Sequence, residues 1–69
     1  MDTAEQIKKI RMKMCLNQSE FARELKISTS CISYYESGSR KPSYMTIRKI
    51  LAYAKKNNIK ISFEDIRQD

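Results

Sequence analysis

The stretch NQSEFARELKISTSCISYYESG, residues 17–38, decides the fold, because it contains two helical patterns separated by a very short connection. Apolar residues recur in it at helical spacing, first at Phe21, Ala22 and Leu25 and then at Ile32 and Tyr35. The connection lies near residues 26–28. Two helices joined so closely must cross at a steep angle, with their apolar stripes facing a common core.

The ends of these two helices are marked by capping residues. Asn17 followed by Glu20 forms a capping box at the start of the first helix. Ser28 is a good N-cap for the second helix, and Gly38, the only glycine of the chain, stands where a left-handed residue ends a helix. The stretch therefore predicts a helix-turn-helix.

Three further helices are predicted outside this stretch. Asp2 and Thr3 are alternative N-caps for a helix that runs to about Met14, with Glu5 or Gln6 as the capping-box partner. Ser43 opens a fourth helix that ends at Asn57 and Asn58, and Ser62 caps a last turn or two through Phe63 and Ile66. We expect an all-α fold of five helices in a single domain, residues 1–69, with its folded part at about residues 3–66.

The apolar residues are sufficient for one small core and little else. A chain of 69 residues buries only about 60% of the surface of its unfolded form, so an enclosed active site is not expected. The predicted core consists of Ile7, Ile10, Met14, Leu16, Phe21, Ala22, Leu25, Ile27, Ile32, Tyr35, Ile47, Ile50, Leu51, Ala54, Ile61, Phe63 and Ile66. No cofactor is predicted, because few apolar residues remain to line a pocket.

The charge of the chain indicates a polyanionic partner. The formal net charge is +6, and all but one of the 14 Lys and Arg residues lie in residues 1–61. Three of the eight acids, Glu64, Asp65 and Asp69, lie in the remainder. A basic body of this kind is typical of proteins that bind nucleic acid, although a surface that only aids solubility gives the same composition.

The two cysteines do not indicate a metal site. Cys15 and Cys31 form no CxxC pair, and the chain has no histidine, so neither a zinc site nor a catalytic metal cluster is predicted. Both are expected to be small packing residues, with contact between the Cys31 thiol and a base edge as the alternative. No signal peptide or membrane-spanning run is evident, which favours a cytoplasmic protein with reduced thiols.

The pattern as a whole resembles the Cro/repressor-type helix-turn-helix domain, also called the xenobiotic-response-element family. The matching residues are Ile10, Arg11, the run 17–22, Leu25, Ile27, Ser28, Ile32, Tyr35, Glu36, Gly38 and the run 40–43. The resemblance covers roughly residues 7–66. It implies that the third helix enters the DNA major groove while the second lies across the DNA backbone.

The resemblance also assigns roles to individual residues. Four side chains of the third helix would contact base edges: Thr29, Ser30, Ser33 and Tyr34. Contacts with the DNA backbone would come from Asn17, Gln18, Arg40 and Lys41, with the minor groove as an alternative for Arg40. Arg11 and Glu36 match a pair that ties the first helix to the third, a structural role.

The chain departs from the family pattern at two places. Lys26 occupies the corner where glycine is usual, so either a lysine adopts the left-handed conformation, at a cost of roughly 1 kcal/mol, or the corner is reshaped. Residues 52–60 are longer than the commonest version by about one turn. This extension moves the final helical element, which in the family often contributes to dimerisation.

Two functions are compatible with these observations, and catalysis is not expected. The first is a non-enzymatic transcriptional regulator, a repressor, that binds a palindromic double-stranded DNA operator as a homodimer. The second is the antitoxin of a toxin–antitoxin pair, with a toxin docked on Tyr53, Phe63, Ile66 and the acidic tail. An enzyme would require a nucleophile with a base in reach, and the sequence offers none.

Overall fold

The computed structural model of the chain describes residues 3–66, and this part is all-helical. Its elements are α1 (Thr3–Lys13), α2 (Gln18–Leu25), α3 (Thr29–Ser37), α4 (Tyr44–Lys56) and α5 (Phe63–Ile66). The predicted all-α class and the five helices are confirmed. No helix in this part of the chain is long and apolar enough to cross a membrane.

The helices pack in a closed circuit around one core. Helix α1 contacts α3 and α5, α2 contacts α3 and α4, and α4 contacts α5. The hydroxyl of Thr3 donates a buried hydrogen bond of 2.6 Å to the carbonyl of Ile66, which joins the start of α1 to the end of α5. Thr3 is thus the first residue of α1 and not its N-cap, while Asp2, the alternative cap, lies outside the described residues.

The core agrees with most of the predicted set. Its buried members include Ile7, Phe21, Ile32, Ile50 and Ile66, each at most 2% exposed. Leu16, Ile27, Leu51, Ile61 and Phe63 are half-buried and pack against it. Met14 was predicted to be in the core but is only half-buried and does not join it, because α1 ends one residue earlier.

Three apolar residues that pack in or against the core were not predicted from the sequence. Ala4 is buried, and Ile59 and Tyr53 are half-buried against the core. The ring of Tyr53 meets Phe21 edge to face, with 5.6 Å between centroids, and burial raises the pKa of its hydroxyl. Tyr53 lies on α4 three residues after Ile50, so the helical spacing could have identified it.

The four longer helices end in the same way. A left-handed residue follows each, namely Cys15, Lys26, Gly38 and Asn58, with φ values of 58°, 59°, 80° and 60°. The N–H of the next residue then bonds to the carbonyl five positions earlier, at distances between 2.8 and 3.3 Å. This is the Schellman arrangement, and in three cases the next residue, Leu16, Ile27 or Ile59, packs against the core.

Candidate nucleic-acid interface

The corner between α2 and α3 has the left-handed geometry, although it lacks a glycine. Lys26 has φ 59° and ψ 45°, and the N–H of Ile27 bonds to the carbonyl of Ala22 at 2.9 Å. Of the two alternatives raised by the sequence, the structure therefore has the left-handed lysine, and the corner is not reshaped. The Lys26 side chain is exposed, so its strain is confined to the backbone.

Helix α3 has one face in the core and one in solvent. The side chain of its N-cap, Ser28, accepts a hydrogen bond from the N–H of Cys31. Ile32 and Tyr35 are buried, at 0% and 8% exposure. The opposite face consists of the exposed residues Thr29, Ser30, Ser33 and Tyr34, the four predicted to contact bases.

The two cysteines differ in their surroundings. Cys31 is half-buried and packs against the core, which agrees with its expected role as a packing residue. A hydrogen bond with the Ser28 hydroxyl is the main cause that lowers the pKa of its thiol. Cys15 is exposed in the left-handed position after α1, so the prediction that it is a packing residue was wrong.

Arg11 and Glu36 form an ion pair that joins α1 to α3. The Arg11 Nε and Nη2 atoms donate to the two Glu36 carboxylate oxygens at 2.7 and 2.9 Å, and Nη1 donates to the Leu16 carbonyl at 2.9 Å. The side chains are 14% and 5% exposed. The hydrogen bonds that Arg11 donates to the Glu36 carboxylate raise the pKa of Arg11, so the guanidinium remains charged at any physiological pH.

The first turn of α2 lies beside this pair. The Gln18 amide nitrogen donates to a Glu36 carboxylate oxygen at 3.2 Å, so three helices meet at one carboxylate. Asn17 and Glu20 form the predicted capping box, in which the Asn17 side-chain oxygen accepts from the Glu20 N–H at 2.7 Å. The backbone N–H of Asn17 donates to a Glu20 carboxylate oxygen at 2.9 Å, so the donor that Asn17 can offer to a ligand is its side-chain nitrogen Nδ2.

The loop after α3 brings a guanidinium onto the exposed face of that helix. Arg40 lies over the ring of Tyr34, with its Cζ atom 4.9 Å from the ring centroid. Lys41 follows and is exposed. One predicted backbone contact and one predicted base contact therefore touch each other, although they belong to different elements.

The charge around this face suits a polyanion. Helix α3 contains one carboxylate, Glu36, and no Lys or Arg. The Glu36 carboxylate is bound to Arg11. The exposed face is therefore uncharged, while Arg23, Lys26, Arg40 and Lys41 are exposed on the neighbouring elements. A neutral, hydroxyl-rich helix between basic flanks can approach base edges while the flanks meet phosphates.

Comparison with protein families agrees with this geometry. A family model described as helix-turn-helix matches residues 7–57, which contain α1 from Ile7 onward, all of α2, α3 and α4, and the whole of the interface described above. The chain belongs to the helix-turn-helix family of the Cro/repressor type. Comparison with curated proteins and with solved structures finds no match.

Membership of this helix-turn-helix family establishes the general function. The chain is a DNA-binding transcriptional regulator, with DNA as its partner. Within residues 3–66, no group of three or more Cys, Asp or Glu side chains is placed to hold a metal ion. The individual DNA contacts assigned to Asn17, Gln18, Thr29, Ser30, Ser33, Tyr34, Arg40 and Lys41 stay predictions.

Two features of the site were not found by sequence reasoning. Gln18 was predicted to face a phosphate, and its link to Glu36 depends on how α2 and α3 cross. The stacking of Arg40 on Tyr34 depends on the path of the loop.

The predicted toxin-docking surface was wrong in part, because Ile66 is fully buried and Tyr53 packs against Phe21.

Proposed function

We propose that the protein is a sequence-specific repressor that binds a palindromic operator as a homodimer, with α3 in the major groove. The observation that carries the proposal is the exposed, uncharged face of α3, which holds Thr29, Ser30, Ser33 and Tyr34 between basic flanks. Hydroxyl groups both donate and accept hydrogen bonds at base edges, and the Thr29 methyl group suits the thymine methyl. Repression follows when an occupied operator excludes the polymerase.

Residues around α3 are proposed to fix its register on the duplex. Asn17 and Gln18 stand at the start of α2, where free backbone N–H groups and the helix dipole favour a phosphate. Arg40 and Lys41 supply charge at the other end of α3. The Gln18 link to Glu36 supports this assignment, because it restrains the side chain that would lie between phosphate and base-contacting residues.

Dimerisation is supported by the size of the protein. Its longest extent is 28 Å, whereas successive major-groove faces on one side of B-DNA are about 34 Å apart. One copy therefore cannot occupy two half-sites. We place the dimer contact at the start of α4, where Tyr44 and Met45 are 59% and 66% exposed and the Tyr44 ring packs on Phe63, 5.5 Å between centroids.

Sedimentation of the free protein and of the operator complex tests this contact. The double substitution Tyr44→Ser and Met45→Ser should weaken the dimer and reduce operator affinity, because the exposed apolar surface is lost. The matched control is Met12→Ser on α1, since Met12 is 60% exposed but lies on another helix. A dimer that survives the double substitution, or that is lost in the Met12→Ser control, contradicts the assigned contact.

The operator itself is tested by selecting bound sequences from random duplex DNA. We expect an enriched palindrome whose half-sites are centred about one helical turn apart. The affinity for that site should fall steeply with salt, with a log–log slope of roughly −5 to −9 if each subunit meets about 3–5 phosphates. Absence of enrichment, or a flat salt dependence, would refute specific recognition through this surface.

A second candidate function is that of an antitoxin, and one surface favours it. An open groove of about 680 Å³ beside the end of α4 is lined by the half-buried residues Leu51, Ile59 and Ile61, with two basic residues, Lys55 and Lys60, and one acid, Asp65, beside them. This lining suits an acidic, partly apolar segment of a toxin. It replaces the docking surface first predicted, because Ile66 is not accessible.

Co-expression with the product of an adjacent toxin-like reading frame tests this candidate. Lys60→Glu should weaken or abolish co-purification of that product while operator binding persists, because Lys60 is exposed beside the groove and is not among the proposed DNA contacts. If no such reading frame lies beside the gene, or if Lys60→Glu leaves the complex intact, the antitoxin function loses its support.

A further inference from the structure

The contact between Tyr34 and Arg40 is built by the backbone as well as by the side chains. The carbonyl of Tyr34 accepts hydrogen bonds from the N–H of Ser39 at 3.0 Å and from the N–H of Arg40 at 3.3 Å. The Ser37 hydroxyl donates to the same carbonyl at 3.1 Å. The N–H of Gly38 also bonds to this carbonyl, so four groups converge on one oxygen and hold the start of the loop against the last turn of α3.

Serine side chains add a second set of bonds at this turn. The hydroxyls of Ser37 and Ser39 are 2.9 Å apart, and the Ser39 N–H also donates to Ser37 at 3.3 Å. Gly38 between them has φ 80°, a conformation that only glycine adopts at little cost. These bonds define the path of the chain from Ser37 to Arg40 in the free protein.

The contact between the Arg40 guanidinium and the Tyr34 ring orients the guanidinium for binding to a phosphate. A guanidinium that lies over an aromatic ring keeps its N–H donors in its own plane, where they can form paired bonds with phosphate oxygens. Both side chains are exposed, Tyr34 to 43%. The one ion pair within residues 3–66 is Arg11–Glu36, so no carboxylate in that part of the chain competes for Arg40.

We infer that Tyr34 is a positioning residue that contributes to DNA affinity mainly through Arg40. The ring holds the guanidinium toward a phosphate at the end of α3, and the two side chains bind DNA as one unit. The inference rests on the proposed function and refines it, because Tyr34 and Arg40 were there treated as independent contacts with base and backbone. Base selection is left to Thr29, Ser30 and Ser33.

A coupled pair has a distinctive response to substitution. Loss of either side chain removes the same phosphate contact, so the effects on affinity should not multiply. A cation–π contact that loses water on binding is expected to change affinity by about fivefold to thirtyfold. The log–log slope of affinity against salt concentration should become shallower by about 0.9 per subunit in either single variant. The preferred DNA sequence should stay the same.

The test measures binding of the complete protein to its own selected duplex over a range of salt concentrations. The variants are Tyr34→Phe, Tyr34→Leu, Arg40→Met and the double variant Tyr34→Leu with Arg40→Met, each checked for folding by circular dichroism. Tyr34→Phe should bind within about twofold of the wild type, because the ring and not the hydroxyl holds Arg40. The double variant should bind within about twofold of the weaker single variant.

Different failures have different meanings. If the wild type selects and binds a site but the two losses multiply, Tyr34 and Arg40 act separately and the inference is overturned. The same holds if Tyr34→Leu keeps the full salt slope and relaxes selection at one base pair, since Tyr34 would then contact a base. If the wild type selects no site at all, the proposed function fails and the inference fails with it.

Discussion

Removal of the Glu36 carboxylate should destabilise the fold more than any other single change at the helix-turn-helix surface. In Glu36→Ala, Arg11 loses both bonds of its bidentate pair, at 2.7 and 2.9 Å, and Gln18 loses its 3.2 Å bond. The guanidinium keeps only its bond to the Leu16 carbonyl. Its side chain is only 14% exposed in the intact pair, so the substitution leaves a largely buried charge uncompensated.

The size of the effect follows from this burial. Breaking a fully buried ion pair by removing one partner costs about 3–5 kcal/mol, and the residual exposure of Arg11 reduces that figure to about 2–4 kcal/mol. For a domain of this size each kcal/mol changes the melting temperature by about 4–8 °C. Glu36→Ala should therefore lower the melting temperature by at least about 8 °C.

Thermal and urea unfolding, followed by circular dichroism, measure this effect. The matched control is Glu24→Ala, an exposed carboxylate on α2 that should change the unfolding free energy by less than about 0.5 kcal/mol. The double variant Arg11→Met with Glu36→Met should recover much of the loss, because it buries no charge. An unchanged melting temperature for Glu36→Ala would refute the assigned role of the pair.

Three further changes test other parts of the fold. At position 26 the free energy of unfolding in urea should be highest for Lys26→Gly, lower for the wild type and lowest for Lys26→Val, over a range of about 1–2 kcal/mol, because a left-handed backbone penalises a branched side chain most. Equal free energies for the three proteins would contradict the strain at this corner. Thr3→Val should lower the unfolding free energy by about 1–3 kcal/mol, because the Ile66 carbonyl loses its buried donor, and a neutral effect would mean that this bond is dispensable. Hydrogen bonds from the Ser62 N–H and hydroxyl lower the pKa of Asp65 in the folded protein. These bonds therefore stabilise the fold fully at a pH above 3.8, the usual pKa of Asp, and their contribution is lost as the pH falls through the lower folded pKa. NMR titration should show the lowered pKa of Asp65, and Ser62→Ala should raise that pKa only part of the way to 3.8, because the backbone N–H still donates. A full return to 3.8 would contradict the N–H as the main cause of the shift.

The local features of the fold were predictable from sequence because their causes are local. The capping box at Asn17, the N-caps Ser28 and Ser43 and the end of α3 at Gly38 each depend on a few neighbouring residues. The division of labour between Tyr34 and Tyr35 followed from the 100° turn between adjacent helical positions. Helical periodicity was therefore enough to identify most of the core.

The features that sequence analysis missed depend on contacts between distant segments or on backbone strain. The Thr3 bond to Ile66 joins the two ends of the described chain, and no local pattern indicates it. A left-handed residue at Cys15 was not expected, whereas Asn58 adopts that conformation in the Asn57-Asn58 pair that was predicted to end α4, and asparagine tolerates it. Burial of Leu16 and Ile59 after them explains how that strain is offset, because each left-handed turn directs an apolar side chain into the core.

The central claim is that the exposed face of α3 selects the DNA sequence. Parallel selections from random duplex DNA with the wild type and with Ser30→Gln test it most directly. Glutamine forms paired hydrogen bonds with adenine in the major groove, so the variant should enrich adenine at one position in each half-site, placed symmetrically. The wild-type consensus from both proteins, or no enrichment by either, would contradict the account.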